Sequence, residues 1–241
     1  STDIINLNHF DPESLDYVYK AVSNIKNTLP EDIPLIGFCG SPWTLAAYSI
    51  EGRSSKDFEK TLSFLISNQK DVHNLLTKYT DACFLYLRRQ VQSGADVIQI
   101  FDSWANLLTK EGLIEYSFNY INALISALKL DPVTKNIPVI VFARNPKCNI
   151  EELINTSADC ISLFWSMNDL NFELAKNKVA IQGNLDPKIL LESDEIIKRE
   201  TYKILEKFEK YPGYIFNLGH GITPDINPDK IKYLTNIVRE Y

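Results

Sequence analysis

The sequence predicts an α/β fold in which parallel strands alternate with helices. Six short runs of apolar and β-branched residues recur along the 241-residue chain, with amphipathic helical patterns between them. These runs are almost continuously apolar, which is typical of strands buried on both faces of a parallel sheet. The strand–helix alternation indicates βαβ units. The sequence contains no G-x-G-x-x-G or G-x-x-x-x-G-K-[ST] motif, which counts against a nucleotide-binding doubly wound fold.

The strand-like runs set how much of a closed barrel this chain could form. A (β/α)8 barrel needs eight strands. If the fold is such a barrel, we expect roughly two βα units to lie outside this chain. The six predicted strands are Ile33–Gly40, Asp96–Ser103, Ile137–Arg144, Cys160–Trp165, Val179–Leu185 and Tyr214–Gly219.

Helical patterns fill the segments between these runs, and low-complexity linkers are absent, which favours a single domain over residues 1–241. The last helix has a clear start signal, because Asn227 is a good N-cap and Pro228 suits the first helical position. The predicted helices are Pro12–Asn27, Ser55–Ser93, Lys110–Leu130, Ser193–Lys210 and Pro228–Glu240.

Composition limits the class of protein and its partners. The hydrophobic fraction of 45% and charged fraction of 23% are ordinary for a soluble globular protein. The net charge is -6 and no basic stripe is present, so nucleic acid is not an expected partner. No apolar run approaches the roughly 20 residues that span a bilayer, so no membrane association is expected.

The cysteines and the first residue bear on the compartment. The 4 cysteines occur singly, which indicates reduced thiols of an intracellular protein and makes a structural zinc site improbable. The chain opens with Ser1, so we expect that a segment was removed upstream. The cytoplasm is the default location, with a plastid as the alternative if that segment was a leader.

Polar and aromatic side chains follow several predicted strands. The first strand leads into Pro42, which fixes the entry to a short helix that carries Tyr48. The second ends with Phe101, Asp102 and Ser103. Each has an ordinary structural interpretation: Tyr48 could be a half-buried helical aromatic, and Asp102 with Ser103 could cap the next helix. The "GNLDP" run after the fifth strand could be a turn with a proline helix start.

His220 follows the sixth strand between two glycines, in "NLGHG". It could be a polar residue in a glycine-rich turn. Alternatively, flanking glycines permit unusual φ angles and close approach of a ligand, while histidine can transfer a proton near neutral pH. Both interpretations are open for this residue alone.

These strand ends together favour a functional site, because parallel βα folds of this kind place their chemistry there. Tyrosine, aspartate with serine, and histidine would not often follow three strands by chance. The chain contains no H-E-x-x-H, no G-x-S-x-G and no lysine at a strand end. We therefore expect hydrogen-bond donors with aromatic walls, suited to a large, anionic organic ligand without a metal.

In these residues the chain resembles the uroporphyrinogen decarboxylase family. The segments are "IPLIGFCGSPWTLAAYSIEG", "GADVIQIFDSWA", "IPVIVFAR", "IQGNLDP" and "NLGHGITPDINPD", in order over nearly the whole chain. The resemblance implies a (β/α)8 TIM barrel and usually a homodimer. It also implies decarboxylation of the four acetate arms of uroporphyrinogen to coproporphyrinogen, without metal or organic cofactor.

The resemblance also assigns site residues. Tyr48 is similar to the tyrosine whose hydroxyl reaches a substrate carboxylate, Ser103 to the serine of the "F-D/E-S" strand end, and His220 to the histidine of "LGHG". Phe38 and Phe101 are similar to the aromatic walls of the cleft. Tyr48 and His220 are the candidates for acid catalysis.

Three departures from the family pattern qualify this assignment. The N-terminal R-Q-A-G-R segment and the strand-end aspartate that follows it are not in the chain, so we expect the 241-residue polypeptide alone to be inactive. Phe164 stands where the family commonly reads L-D-W, and Asn106 where it usually has glycine. The alternatives are a cobalamin-linked methyltransferase of the same barrel type and a non-catalytic tetrapyrrole-binding barrel.

Overall fold

The computed structural model describes Ile4, Leu7 and residues 9–55, 57–167 and 171–241. Lys56, inside one predicted helix, lies outside this range. The chain divides into two compact units, Ser1–Cys148 with Asn155–Asp159 and Asn149–Ile154 with Cys160–Tyr241. That both belong to one domain stays a prediction.

The first unit contains three parallel strands in chain order, β1 (Ile36–Gly40), β2 (Val97–Asp102) and β3 (Val139–Ala143). Each lies within a predicted run. The register pairs Gly40 with Phe101 and Asp102 with Ala143, so the three strands end at nearly the same level. The carboxyl ends therefore form one edge of the sheet, where the following loops begin.

The helices of the first unit are α1 (Asp16–Thr28), α2 (Pro42–Glu51), α3 (Glu59–Ser67), α4 (Gln69–Gln92), α5 (Lys110–Gly112) and α6 (Asn119–Leu130). A π-helix, Leu113–Phe118, joins α5 to α6, and 3-10 turns occupy Pro12–Leu15 and Ala105–Leu107. The prediction of a single helix over Ser55–Ser93 is wrong. Asn68 separates α3 from α4 with φ -137° and ψ 44°, and its side chain donates to Ser67 Oγ at 2.8 Å, since Asn readily bonds locally at helix ends.

The start and end of α2 follow from local chemistry. Ser41 is the N-cap and accepts a hydrogen bond from the Thr44 backbone N–H at 3.0 Å, while Pro42 occupies the first turn as predicted. Gly52 ends the helix in the left-handed region with φ 80°, a conformation that costs glycine little. The helix therefore starts directly after the carboxyl end of β1, and Tyr48 lies in its second half.

The second unit also has three parallel strands in chain order, β4 (Cys160–Ser162), β5 (Ala180–Gln182) and β6 (Tyr214–Ile215). They are shorter than the predicted runs. Its helices are α7 (Ile150–Ile154), α8 (Asp194–Phe208) and α9 (Pro228–Glu240), with 3-10 turns at Phe172–Leu174 and Pro187–Leu191. The predicted cap of α9 is confirmed, because Asn227 Oδ1 accepts the Asp229 N–H at 2.9 Å.

All six predicted strands are present, and within each unit they are parallel and follow chain order. The predicted α/β fold of the (β/α)8 barrel type is confirmed at this level, since parallel strands that neighbour one another in chain order, with helices between them, are the pattern of that class. Across the part of the chain that the structure describes, no helix combines the length and apolar character needed to cross a bilayer.

Candidate functional site

An aromatic row crosses the three strands of the first unit. Phe38 on β1 contacts Phe101 on β2 edge-to-face, with ring centroids 5.8 Å apart, and Phe101 lies 5.9 Å from Phe142 on β3. Phe38 is 58% exposed, whereas Phe142 is buried. The predicted pair of aromatic residues is thus brought together. Phe142 extends the row, and sequence reasoning missed it. The available signal was its position, because each of the three phenylalanines stands two residues before the end of its predicted strand run.

The backbone of Phe38 is held by a side chain from α4. The amide of Gln90 accepts the Phe38 N–H at 3.0 Å and donates to the Phe38 carbonyl at 2.9 Å. Gln90 is almost fully buried, with 3% of its surface exposed. Both polar groups of one strand residue are therefore satisfied by one side chain, which holds the backbone that carries the exposed phenyl ring.

A buried carboxylate lies beneath this strand end. Asp102 accepts hydrogen bonds from the hydroxyls of Ser41 and Thr44, each at 3.1 Å, and from the Ser117 hydroxyl. Burial raises the pKa of Asp102 above its ordinary value, although the hydroxyl donors act in the opposite direction. The carboxylate joins β2, α2 and the π-helix, and it also accepts a hydrogen bond from the backbone of Trp104, the N-cap residue of the following turn. Capping, one of the two interpretations of Asp102, is therefore only part of its role.

Ser103 is tied to the same network through its backbone. Its N–H donates to Thr44 Oγ1 at 2.9 Å, so one threonine hydroxyl joins Ser103 to Asp102. Ser103 is partly buried at the level where β2 ends. A role for its own hydroxyl in ligand binding stays a prediction.

Tyr48 belongs to an aromatic cluster above the strand ends. Its ring centroid lies 5.8 Å from that of Trp104 and 6.0 Å from that of Phe58, both edge-to-face. Trp104 and Phe58 pack at 4.3 Å. Tyr48 is 39% exposed, so its ring is half packed and half accessible. The helical-aromatic interpretation and the functional one are both compatible with this position.

Arg144 adds a charge to this cluster. It directly follows β3, and its backbone N–H donates to the Asp102 carbonyl at 3.0 Å. Its guanidinium carbon lies over the Trp104 ring, 5.4 Å from the centroid. Sequence reasoning missed this residue as a site candidate, although it ended one of the quoted strand runs. A cation at a strand end was the available signal.

His220 lies in the second unit, next to the aromatic side chain of Phe164. It is exposed, and its ring meets that of Phe164 edge-on at 5.9 Å, while Nδ1 lies 3.4 Å from the Gly221 carbonyl. Phe164 is buried and also contacts Trp165 at 5.4 Å. The residue that departs from the family pattern is thus a direct neighbour of His220.

The two glycines around His220 differ in what surrounds them. Neither has a positive φ, so the unusual backbone angles that glycine permits are not used at these positions. A Cβ on Gly219 would lie 2.3 Å from the Trp165 backbone nitrogen, whereas one on Gly221 would meet nothing within 4 Å. Gly219 is needed because two chain segments pass very close together, and that contact sets the position of the histidine.

The "GNLDP" run forms a capped turn. Asp186 accepts the Lys188 N–H at 3.0 Å as the N-cap of the turn Pro187–Leu191, so the ordinary structural interpretation of this run is confirmed.

Within residues 9–55, 57–167 and 171–241, no three His, Cys, Asp or Glu side chains are grouped to hold a metal ion.

Known proteins similar to this chain were found by sequence. A family model described as "Uroporphyrinogen decarboxylase (URO-D)" matches residues 1–241. The uroporphyrinogen decarboxylase of Ruthia magnifica is 42% identical over 229 residues, which cover 94% of this chain and 66% of the relative. That of Magnetococcus marinus is 41% identical over 242 residues and that of Aquifex aeolicus 38% over 241, covering 68% and 70% of those relatives. The chain spans about two thirds of their length.

Two solved structures resemble the fold. A methyltransferase from Methanosarcina mazei has a TM-score of 0.73 at 20% identity, covering 92% of this chain and 63% of the other. A B12-independent methionine synthase from Shewanella sp. W3-18-1 has a TM-score of 0.62 at 16% identity, covering 92% and 66%. At these identities the likeness shows the fold alone.

Proposed function

The chain belongs to the uroporphyrinogen decarboxylase family, and from that premise we propose that its protein is a carboxy-lyase acting on uroporphyrinogen. It removes the four acetate carboxyl groups as CO2 and gives coproporphyrinogen in porphyrin and haem biosynthesis. The reaction proceeds without a metal or organic cofactor. The proposed partners are the tetrapyrrole substrate and a second copy of the protein, and the proposed location is the cytoplasm.

The observation that carries this proposal is the aromatic row at the carboxyl ends of β1 to β3. A tetrapyrrole has apolar ring faces and a charged periphery. The exposed ring of Phe38 and the adjoining ring of Phe101, 5.8 Å apart, offer an apolar surface to the macrocycle. Tyr48, which is 39% exposed, carries a hydroxyl that can hydrogen-bond to a carboxylate at the margin of that surface.

The chemistry sets what the protein has to supply. Loss of CO2 from an acetate arm leaves a carbanion equivalent beside a pyrrole, and that pyrrole can accept the electrons if it is first protonated. The substrate is then its own electron sink. The protein must stabilise a cationic ring, leave the departing carboxylate poorly solvated, and protonate the exocyclic carbon afterwards. General-acid help of this kind is typically worth about 10²–10⁴-fold in rate.

The candidates for these tasks are Tyr48 and His220. In this proposal both touch substrate as catalytic residues, and Ser103 joins them in substrate binding. The His220 imidazole suits proton transfer near neutral pH. Its exposed position and its edge contact with Phe164 leave the imidazole accessible to a ligand. Should His220 only anchor a carboxylate, its loss would weaken binding more than turnover.

The test is a product assay on the full-length protein that contains this chain. Uroporphyrinogen III is incubated with it anaerobically, and the oxidised products are separated by their number of carboxyl groups. We expect the octacarboxylate to give way to the tetracarboxylate, with release of CO2. Tight binding of the octacarboxylate without CO2 release would favour a non-catalytic tetrapyrrole-binding protein. Methyl transfer from a cobalamin donor would favour the methyltransferase alternative.

A further inference from the structure

Arg144 lies in the first unit, at the level where β2 ends in Asp102 and leads into Ser103. The register pairs Asp102 with Ala143, so Arg144 lies one residue beyond that pair, at the level of Ser103. Its backbone N–H, bonded to the Asp102 carbonyl at 3.0 Å, continues the strand pairing by one step. Arg144 itself lies just beyond the end of β3, and this hydrogen bond anchors its backbone to the end of β2.

The side chain of Arg144 is directed to the aromatic cluster that contains Tyr48. Its guanidinium carbon lies 5.4 Å from the centroid of the Trp104 ring, and that ring contacts Tyr48 at 5.8 Å. A guanidinium held over a tryptophan ring by a cation–π contact still has N–H donors that can reach an acceptor. Arg144 is only partly buried, so an outside ligand can reach it.

The charge of Arg144 has no anionic partner among the residues that the structure describes. Two other partly buried arginines of the same unit are paired: Arg88 with Asp131 at 3.0 Å and Arg89 with Glu13 at 2.9 Å. The carboxylate of Asp102 accepts its hydrogen bonds from three hydroxyls and the Trp104 backbone instead. A partly desolvated cation without a counter-ion costs free energy, and a bound anion would offset that cost.

We propose that Arg144 binds a peripheral carboxylate of the tetrapyrrole substrate. The inference rests on the proposed function, and it adds a specificity-determining residue to the predicted set of Phe38, Tyr48, Phe101, Ser103 and His220. The planar guanidinium can donate two parallel hydrogen bonds to one carboxylate. The macrocycle lies against the aromatic row, and Arg144 fixes the rotation of the ring by holding one of its arms.

The test compares Arg144→Met and Arg144→Lys in the full-length protein. Methionine keeps an unbranched apolar stem over Trp104, and lysine keeps the charge but loses the fork. Arg89→Met is the matched control. Arg89 also lies over an aromatic ring, that of Tyr19 at 5.0 Å, but it belongs to the last turn of α4, which precedes the amino end of β2 and not its carboxyl end. Binding of uroporphyrin I, the stable octacarboxylate, is measured by fluorescence titration, and KM by the product assay. Thermal unfolding reports the effect on the fold.

We expect Arg144→Met to raise Kd and KM about 10- to 100-fold, as for loss of a charge-assisted hydrogen bond. Lysine should give a smaller, several-fold loss, and Arg89→Met should match the wild type. Raising the salt concentration should weaken the wild type more than Arg144→Met. A second titration with coproporphyrin I distinguishes the arm: an effect confined to the octacarboxylate assigns an acetate, and an equal effect assigns a propionate.

Kd and KM within two-fold of wild type for a folded Arg144→Met, or an equal loss in Arg89→Met, would overturn the inference while leaving the proposed function intact. Should Arg144→Met not fold, an Arg144→Lys protein with unchanged Kd and salt dependence would overturn it equally. Absence of both binding and turnover in the wild type would instead overturn the proposed function, and the inference with it.

Discussion

The hydroxyl of Thr44 donates a hydrogen bond to the buried carboxylate of Asp102 at 3.1 Å. The same oxygen accepts the Ser103 backbone N–H at 2.9 Å. One side chain on α2 thus secures both the buried end of β2 and the residue that begins its loop. The position of Tyr48 relative to Ser103 depends on this junction. Tyr48 lies on the same helix as Thr44, and the Ser103 backbone is hydrogen-bonded to the Thr44 hydroxyl.

Replacement of Asp102 should change how stability depends on pH. Burial raises the folded-state pKa of this carboxyl above its ordinary value, so in the window above that value the folded state holds the proton while the unfolded state releases it. The stability contribution of the group therefore falls as pH rises through the window. We expect the free energy of unfolding of the wild type, relative to Asp102→Asn, to decline from about pH 4 upward and then level off.

Urea unfolding of both proteins at a series of pH values measures this difference. If the wild type minus Asp102→Asn difference in the free energy of unfolding were constant, or grew with pH, the raised pKa of Asp102 would be contradicted. Asp102→Ala provides a second comparison. It leaves three hydroxyls without an acceptor, and we expect a loss of about 3 kcal/mol or more at neutral pH.

Gly219→Ala should destabilise the second unit, whereas Gly221→Ala should not. The added methyl at position 219 would lie 2.3 Å from the Trp165 nitrogen and 2.5 Å from its Cα, both of which are backbone atoms. We expect a loss of about 1–3 kcal/mol in the free energy of unfolding. The methyl at position 221 meets nothing within 4 Å, so that variant should stay within about 0.5 kcal/mol. Equal effects in denaturant unfolding would show that the two segments do not approach so closely.

His220→Ala should weaken activity with the fold retained. The side chain is exposed, so its removal should change the free energy of unfolding by no more than about 0.5 kcal/mol. If His220 is a general acid, kcat should fall about 10²–10⁴-fold. If it anchors a carboxylate, KM should rise about 10-fold or more with a smaller change in kcat. Unchanged kinetics in the product assay would reduce His220 to a structural residue.

Gln90→Leu should destabilise the first unit, because it leaves the N–H and carbonyl of Phe38 without partners. Each unpaired buried group costs about 1–3 kcal/mol, so we expect a loss of about 2–5 kcal/mol. Gln92→Leu is the control, since Gln92 lies on the same helix but is exposed, and it should stay within about 0.5 kcal/mol. Thermal or urea unfolding measures both, and similar losses would mean that the amide contacts contribute little.

The sequence predicted what depends on local patterns. Each strand was found because an apolar run is a local signal, and the cap at Asn227 because its chemistry needs only neighbouring residues. For Asp102 the sequence offered a local cap or a functional site, and the junction itself was missed because its partners Ser41 and Ser117 come from distant stretches of chain. Gln90 was missed for the same reason, since it reaches Phe38 across 52 positions.

The two glycines beside His220 show a further limit. Their sequence context is symmetrical, and only the path of the second chain segment past Trp165 distinguishes them. Arg144 was also not assigned, although "FAR" was part of a recognised run. Its significance lies in the absence of an anionic partner among the residues that the structure describes. The sequence does not show this, because it depends on how distant segments pack around Arg144.

The Gln90 amide also bears on what β1 can pair with at Phe38. Backbone N–H and carbonyl groups that a strand leaves unbonded can recruit another strand. At Phe38 both groups are already occupied by Gln90. The contact that positions a candidate binding residue therefore also leaves neither of these two groups free for a further strand.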